Sequence, residues 1–157
     1  MDNCSRMYYE TPIGWLEVVG DEKGVEVVRF MDEEEEHQPV GESEAVAQCI
    51  TQLDEYFKGS RQTFTIPLIQ SSGTVFQQQV WKALETIPYG EIVSYLDIAQ
   101  KIGNEKAVRA IGGANSRNPI AIIVPCHRVI GKSGKLVGYE GGLWRKEYLL
   151  KLEGYLS

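Results

Sequence analysis

The chain has 157 residues, of which 43% are hydrophobic and 24% charged, as in an ordinary globular protein. No apolar run reaches the length of a membrane span, and the N-terminus has neither the cationic start nor the apolar stretch of a signal peptide. The three cysteines (4, 49 and 126) form no CxxC pair, and the two histidines (37 and 127) are not spaced as metal ligands. We therefore expect an intracellular protein, cytoplasmic or, in a eukaryote, nuclear, without disulfides, a metal site or a membrane partner.

The net charge of −6 is unevenly distributed along the chain. Residues 1–70 contain five Lys and Arg against fifteen Asp and Glu, a charge of −10, whereas residues 71–157 contain eleven against seven, a charge of +4. The acidic run Asp32–Glu36 is typical of a solvated loop. Because nucleic-acid binding depends on where positive charge lies and not on its sum, the second half could meet DNA while the first half faces away.

The start of the chain predicts an antiparallel sheet. Turn-forming residues at Thr11–Gly14 and Asp21–Gly24 separate three short runs that are rich in apolar and β-branched residues. The predicted strands are Met7–Glu10, Trp15–Gly20 and Val25–Phe30. Short turns between consecutive strands favour a meander.

One helix and a connector complete the first half. Apolar residues at helical spacing predict a helix over Glu44–Phe57, with Gly59 just beyond it as a stop. Residues 60–73 have the composition of a connector with one short extended piece. We therefore expect two domains: residues 1–72, a sheet-plus-helix domain with its connector, and residues 73–157.

The second half begins with three predicted helices. The first covers Val75–Ile87. Ser94, with Asp97 three residues later, is placed to form a capping box at the start of the next helix. Asn104 is placed to cap a third helix near Glu105–Ala114. The last two helices have helix-turn-helix spacing, although many protein cores contain such a pair.

The end of the chain predicts a strand, a hairpin and a closing helix. Ile120–Val124 is a continuous apolar run, which favours a fully buried strand ended by Pro125. Gly131–Gly134 is typical of a hairpin tip. The closing helix is predicted over Leu143–Glu153. Its apolar stripe is expected to contain Trp144, Tyr148 and Leu152.

The third predicted helix is poor in side chains. Its small residues are Ala107, Ala110, Gly112, Gly113 and Ala114. Each interior glycine costs a helix about 1 kcal/mol relative to alanine, so the pattern needs a reason. Two reasons stay open: close packing against another helix, or the close approach of another backbone, as in a narrow DNA groove. Arg109 is the one long cation among these residues and could enter a duplex.

Cys126 follows the apolar run and Pro125 directly, a position that is rigid yet reachable. A thiol reacts as the thiolate, which needs a nearby base, cation or helix N-terminus. His127 is the only histidine in this half, and Glu153 lies in a last helical turn, where its charge opposes the helix dipole and calls for a partner. A Cys–His–Glu relay is one interpretation. A structural cysteine beside a surface histidine and a solvated glutamate is the other.

Pro125–Ile130, with the sequence PCHRVI, resembles the active-site signature of the O6-alkylguanine-DNA alkyltransferases. The resemblance covers about half of the chain, roughly residues 73–153, in the family's order, while the first half fits only loosely. Further matching segments are Phe76–Trp81, Ile87–Glu91, Ser94-Tyr95, Ala107–Ala114, Asn118-Pro119 and Gly138-Tyr139. The resemblance implies an α+β fold, with an N-terminal antiparallel sheet and helix and a mainly helical C-terminal domain that contains a winged helix-turn-helix-like motif.

The resemblance implies direct-reversal DNA repair and a catalytic role for five residues. Cys126 accepts the alkyl group from O6 of guanine, His127 is its base acting through water, and Glu153 holds the histidine. Asn118 organises the turn around the cysteine. Tyr95 donates its hydroxyl toward N3 of the flipped guanine. Because the thioether is stable, the enzyme acts once, and it needs no cofactor.

The implied partner is double-stranded DNA that contains O6-alkylguanine, bound through the minor groove by a monomer. Arg109 would fill the gap left by the flipped nucleotide. The implied DNA-binding residues are Ser94, Ala107, Arg109, Ala110 and Gly112. The implied pocket residues are Val129, Tyr139 and Glu140. Glu140 departs from the family, in which a small residue is expected, and its carboxylate could raise the thiol pKa or repel phosphate.

Three other functions compete with this interpretation. A protein that binds alkylguanine without chemistry would share the fold, but such relatives resemble this pattern with the cysteine replaced. A Cys–His hydrolase would need an oxyanion hole, for which the sequence gives no sign. A transcription regulator would need polar side chains that read the major groove, and the Ala/Gly face offers none.

Overall fold

The computed structural model describes residues 4–131, 136, 138–139 and 141–155. The chain divides into two compact units. One holds the chain up to Ser71 together with Pro119–Ala121, and the other holds Ser72–Asn118 and the chain from Ile122 onward. The domain boundary after residue 72 stays a prediction. Within the described residues, no helix has both the length and the apolar content needed to cross a membrane.

Three antiparallel strands form the sheet of the first unit, in the order β1-β2-β3. They are β1 (Ser5–Thr11), β2 (Gly14–Asp21) and β3 (Gly24–Phe30). Leu16 and Val18 alternate with more exposed neighbours along β2 and are fully buried, which places the core on one face of the sheet. The predicted meander is confirmed, with strands slightly longer than the predicted segments.

Helix α1 (Glu44–Phe57) has the predicted bounds. Its cap is Ser43, whose hydroxyl accepts a hydrogen bond from the backbone N–H of Val46 (3.3 Å) and donates one to the carbonyl of Asp21 (2.7 Å). Gly59 follows the helix with a φ of 81°, a left-handed conformation that favours glycine. The inward face of α1 carries Val46, Cys49, Leu53 and Tyr56, all fully buried.

The second unit is mainly helical. Among the described residues its α-helices are α2 (Val75–Leu84), α3 (Tyr95–Lys101), α4 (Val108–Ser116) and α5 (Leu143–Leu152). Two short strands, β4 (Val93–Ser94) and β5 (Val129–Ile130), pair in parallel. With the sheet of the first unit, these elements confirm the predicted α+β class.

The helix pair α3–α4 starts as predicted but joins differently. The Ser94 hydroxyl accepts from the N–H of Asp97 (3.0 Å), whose carboxylate accepts from the N–H of Ser94 (2.8 Å), so the predicted capping box is confirmed. The predicted Asn104 cap is wrong, because its side chain makes no capping bond. A 3₁₀ turn at Glu105–Ala107 comes first, and the α-helix starts only at Val108. The first helix of the unit, α2, ends three residues before the predicted bound.

The apolar run Ile120–Val124 is not the predicted strand. Ile120 forms an isolated bridge with Val28, and Ile122 has a φ of 72°, which breaks the extended geometry. Ile120, Ile122 and Val124 are nevertheless at most 1% exposed. The run is apolar because it is buried, and an apolar run alone does not distinguish a strand from a buried turn.

The apolar stripe predicted for α5 is also wrong. Trp144 is 58% exposed, and the buried face carries Lys146, Leu149 and Leu150. These three positions share one face by helical spacing, but a lysine among them makes that face look polar in sequence. The predicted hairpin tip, Gly131–Gly134, extends outside the described residues.

We predict that Ser43→Ala lowers the free energy of unfolding by about 1–2 kcal/mol, because the α1 cap and the bond to the Asp21 carbonyl are both lost. Urea denaturation of the purified protein measures this change. Ser60→Ala is the matched control, since the exposed Ser60 hydroxyl bonds only the Glu55 carbonyl and its loss should cost about 0.5 kcal/mol or less. Equal losses in the two variants would contradict the prediction.

Candidate active site

Cys126, His127 and Arg128 form one 3₁₀ turn, and all three residues are buried. The N–H of Arg128 donates to the carbonyl of Pro125 at 3.0 Å and closes the turn. Strand β5 follows at once and pairs with β4. Because the turn is held at both ends, its side chains leave the backbone in fixed directions.

The thiol of Cys126 lies in a residue that is 6% exposed. Burial raises the pKa of this thiol, while a hydrogen bond from the Asn118 side chain and the nearby Lys146 ammonium act to lower it. Asn118 also donates from Nδ2 to the carbonyl of Val124 at 2.8 Å and so ties the turn to the preceding chain. Because burial dominates, the thiol is protonated at neutral pH and needs a base to react.

His127 and Glu153 form a fully buried pair, with 2.7 Å between Nε2 and Oε2. An ionised carboxylate only accepts hydrogen bonds, so Nε2 carries the hydrogen and Nδ1 carries the lone pair. Nδ1 has no hydrogen-bond partner among the described residues. It is therefore the ring nitrogen that is free to take up a proton.

Arg128 is the second partner of the Glu153 carboxylate. Its guanidinium donates to both carboxylate oxygens, at 2.7 and 3.0 Å, and to the carbonyl of Ile87 at 2.6 Å. Burial acts to raise the pKa of Glu153, but the hydrogen bonds and charges of His127 and Arg128 outweigh it and hold that pKa well below its usual range. Burial lowers the pKa of His127, and Glu153 offsets this only in part. At neutral pH the imidazole is thus uncharged, and Arg128 neutralises the carboxylate.

Lys146 brings a cation close to the thiol. It is fully buried, and its Nζ donates to the carbonyl of Val129 at 2.5 Å. Burial lowers the pKa of Lys146 to about 8, against the opposing effect of Cys126. The ammonium is therefore still largely charged at neutral pH, and it stabilises a negative charge on the sulfur. The carbonyl of Val129, a predicted pocket residue, is already engaged by this lysine.

Two phenols lie near the thiol. The pKa of Tyr95 is raised, chiefly by burial. The Asn115 side chain acts to lower that pKa, and the charge of Cys126 acts to raise it further. Burial and Cys126 also raise the pKa of Tyr139, whose hydroxyl has no hydrogen-bond partner in the described part of the chain. Both phenols are therefore protonated at neutral pH. A Cβ added at Gly138 would lie 3.5 Å from the Tyr95 hydroxyl, so Gly138 lies directly beside that hydroxyl.

The helix predicted to meet DNA, α4, presents a bare surface. Arg109 and Ala110 are exposed, and Ala107 and Gly112 are partly exposed. A Cβ added at Gly112 or Gly113 would have no described neighbour within 4 Å. Close packing within the described residues therefore does not explain these glycines, which favours the approach of another backbone.

The structure brings the five predicted catalytic residues into one unit, and it adds three that were not predicted. These are Asn115, Arg128 and Lys146, all buried. Arg128 could have been predicted, because a buried carboxylate needs a permanent cation beside it. Lys146 was missed because the predicted apolar stripe of α5 was wrong. No feature of the sequence pointed to Asn115. Of the other predicted site residues, Ser94 caps α3, and Glu140 lies outside the described residues. In the described ranges, no group of three or more His, Cys, Asp or Glu side chains is arranged to hold a metal.

The comparisons with known proteins match nearly the whole chain to one family. Residues 75–155 match the family described as "6-O-methylguanine DNA methyltransferase, DNA binding domain", and residues 5–70 match its "ribonuclease-like domain". A methylated-DNA–protein-cysteine methyltransferase of Methanosarcina acetivorans is 51% identical over 155 residues, covering 94% of this chain and 99% of that protein.

Two crystal structures of Mycobacterium tuberculosis proteins are similar in fold. The O6-methylguanine methyltransferase has a TM-score of 0.87 and 46% identity, covering 98% of this chain and 94% of that one. The OGT protein in complex with DNA has a TM-score of 0.84 and 48% identity, covering 93% of this chain and 90% of that one.

We predict that Arg128→Met destabilises the fold by about 3–5 kcal/mol, because it leaves the Glu153 carboxylate buried without a permanent cation. Urea denaturation measures the loss, and adding Glu153→Gln should restore part of it. The matched control is Lys151→Met, which removes a cation from an exposed pair with Glu147 and should cost about 0.5 kcal/mol or less. An Arg128→Met variant no less stable than the Lys151→Met variant would refute this account.

Proposed function

The chain belongs to the 6-O-methylguanine DNA methyltransferase family and is an enzyme, and on that premise we propose that it repairs DNA by moving the alkyl group of O6-alkylguanine onto its own Cys126. The observation that carries the proposal is the buried turn in which Cys126 adjoins His127, with Glu153 on Nε2 and Nδ1 left as a base. Because the acceptor is part of the protein, the reaction needs no cofactor.

The first half of the reaction activates the sulfur. The thiol proton passes through water to His127 Nδ1, and the thiolate attacks the alkyl carbon on O6. As the S–C bond forms, the O6–C bond breaks and its electron pair passes to the guanine. Glu153 stabilises the imidazolium that forms, and Arg128 keeps Glu153 ionised throughout. Lys146 stabilises the thiolate while it exists.

The second half protonates the departing base. Guanine takes a proton at N3, and Tyr95, which stays protonated at neutral pH, is the proposed donor. The phenol recovers its proton from the imidazolium through solvent, so one proton leaves the thiol and one reaches the guanine. Asn118 holds the turn in place during these steps.

DNA binding is assigned to α4 and the start of α3. The small residues Ala107, Ala110 and Gly112 allow the helix to enter the minor groove of double-stranded DNA, and Arg109 fills the gap after the damaged base flips out. Ser94 contributes at the cap of α3. We assign Val129 and Tyr139 to the pocket that receives the base, together with Glu140, which lies outside the described residues. A monomer suffices for this contact, and the protein would work where DNA is found, in the cytoplasm or the eukaryotic nucleus.

The proposed reaction is irreversible. A thioether at Cys126 is a stable product, because water does not displace a thiolate from an alkyl carbon under mild conditions. Each chain would therefore repair one lesion.

A non-catalytic lesion-binding protein is the alternative, and the same bare helix would serve it. The presence of Cys126 beside a base, with the Lys146 ammonium nearby, argues for chemistry, because recognition alone needs none of these groups.

We predict that mixing the protein with a duplex containing a single O6-methylguanine adds one methyl group per chain. Intact-mass spectrometry measures the addition, and peptide mapping should locate it on Cys126. Cys126→Ala is the negative control, and Cys49→Ala, which removes the other buried thiol, should still be methylated. Tight binding to the lesion without a change in mass would instead favour the lesion-binding protein.

We predict that the rate of methyl transfer does not fall as the pH is lowered from about 8 to 7, where Lys146 gains its charge, and falls only below the ordinary imidazole value of 6.5, because burial lowers the pKa of His127. Protonated His127 has no lone pair to accept the thiol proton. Single-turnover rates at saturating DNA measure this, with DNA affinity determined at each pH as the control. A decline that begins above pH 7 would show that His127 is not the base or that its pKa is not lowered.

A further inference from the structure

An open groove lies in the second unit between the start of α2 and the outer side of α4. Its volume is about 240 Å³, and its walls include Thr74 and Gln77 on one side and Ala110, Gly113 and Arg117 on the other. The last three residues follow one another at a spacing of three and then four, so they share one face of α4. A Cβ added at Gly113 would meet no described neighbour within 4 Å, so this face is open.

Hydrogen bonds fix the two walls of this groove. Trp81 of α2 donates from Nε1 to the carbonyl of Ala114 at 2.8 Å, and both residues are buried. At the start of α2, the N–H of Gln77 donates to the Thr74 hydroxyl (3.1 Å), and Oε1 of Gln77 accepts from the N–H of Thr74 (2.9 Å). Because both helices are held in this way, a ligand would find the groove already formed.

Three polar side chains of the groove have donors that no described residue uses. The Arg117 guanidinium is exposed and makes no hydrogen bond or ion pair with the described part of the chain. The Nε2 hydrogens of Gln77 and the hydroxyl hydrogen of Thr74 likewise have no acceptor there. The described residues that line the groove include no Asp or Glu. A cation and two neutral donors without a carboxylate suit an anion that offers several oxygens.

A phosphate of the DNA backbone is the anion that the position of the groove favours. The groove opens on the outer side of α4, which also presents the exposed Ala110 that we assign to the minor groove. Phosphates border that groove of the duplex on both sides and accept most protein–DNA hydrogen bonds. Arg117 lies about 12 Å from Arg109 along the helix axis. It therefore contacts a different part of the duplex from the gap that Arg109 fills.

We propose that this groove holds a phosphate of the DNA backbone, with Arg117 as the charged contact and Gln77 and Thr74 as neutral donors. The contact carries no sequence information, so it acts on damaged and undamaged DNA alike. The inference rests on the proposed function, which places α4 on DNA, and it adds a contact outside the residues assigned there.

Binding of an undamaged duplex at several salt concentrations tests the charged contact. Each neutralised phosphate contributes about 0.9 to the slope of log K against log salt concentration. Arg117→Gln should therefore lower that slope by about one and weaken binding about five- to ten-fold near 0.1 M salt. Arg117→Lys keeps the charge and should keep most of the slope. The matched control is Lys23→Gln, which removes the same charge from an exposed turn of the first unit and should leave the slope unchanged.

The salt slope separates this contact from a structural role. A cation at the C-terminal end of a helix also stabilises the helix, and Arg117 is the C-cap residue of α4. Loss of that role alone would lower the midpoint of urea denaturation without changing the salt slope of the folded protein.

Gln77→Glu tests the opposite wall. The new carboxylate can still accept from the N–H of Thr74, so the capping box is kept, but a negative charge replaces the Nε2 donors. Binding should weaken at least as much as in Arg117→Gln. The matched control is Gln79→Glu, which adds the same charge at an exposed position of α2 that does not line the groove. It should weaken binding about three-fold or less, because salt screens the more distant charge.

The outcomes are distinct. A lower slope in Arg117→Gln but not in Arg117→Lys or Lys23→Gln, with Gln77→Glu weaker than Gln79→Glu, supports the inference. Equal slopes in Arg117→Gln and Lys23→Gln, or equal binding by the two glutamine variants, would overturn it, while methyl transfer by the wild-type protein would leave the proposed function standing. The expected slopes in a protein that transfers no methyl group would support this contact and overturn the proposed chemistry.

Discussion

The buried carboxylate of Glu153 is the constraint on which the second unit depends. An ionised carboxylate out of contact with water is tolerated only if it is paired and hydrogen-bonded. Arg128 supplies the permanent charge through two hydrogen bonds, and His127 supplies a third. Because both partners come from one turn, the pairing that makes Glu153 tolerable also fixes the backbone beside Cys126.

In the proposed reaction, burial keeps the nucleophile unreactive until the damaged base is bound. A solvent-exposed thiolate would react with any oxidant or electrophile. Here burial raises the pKa of the Cys126 thiol and lowers that of His127, so both groups are neutral at rest. In the proposed reaction the proton moves from the thiol to the imidazole. Lys146 makes the resulting sulfur anion less costly without abolishing the protonated resting state.

The sequence predicted most of this fold where local signals agree with tertiary packing. The meander, α1 and the Ser94–Asp97 capping box are set by short-range periodicity and cap chemistry. The predicted strand at Ile120–Val124 was wrong because apolar character indicates burial and not backbone geometry. Ile122 adopts a backbone conformation that residues other than glycine rarely take. The stripe of α5 failed because buried Lys146 has a partner, the Val129 carbonyl, that no local pattern reveals.

The motif singled out the turn that carries Cys126, but it did not reveal the charges around that turn. Cys126, His127 and Glu153 stand out by residue type, whereas Arg128 and Asn115 matter only through contacts that span 25 and 11 residues of chain. Asn115 also shows how one helix can serve two ends. The glycines of α4 leave its outer side open, and Asn115 on its inner side touches the Cys126 turn. The helix proposed to meet DNA thereby carries, on its inner side, a contact to the turn that holds Cys126.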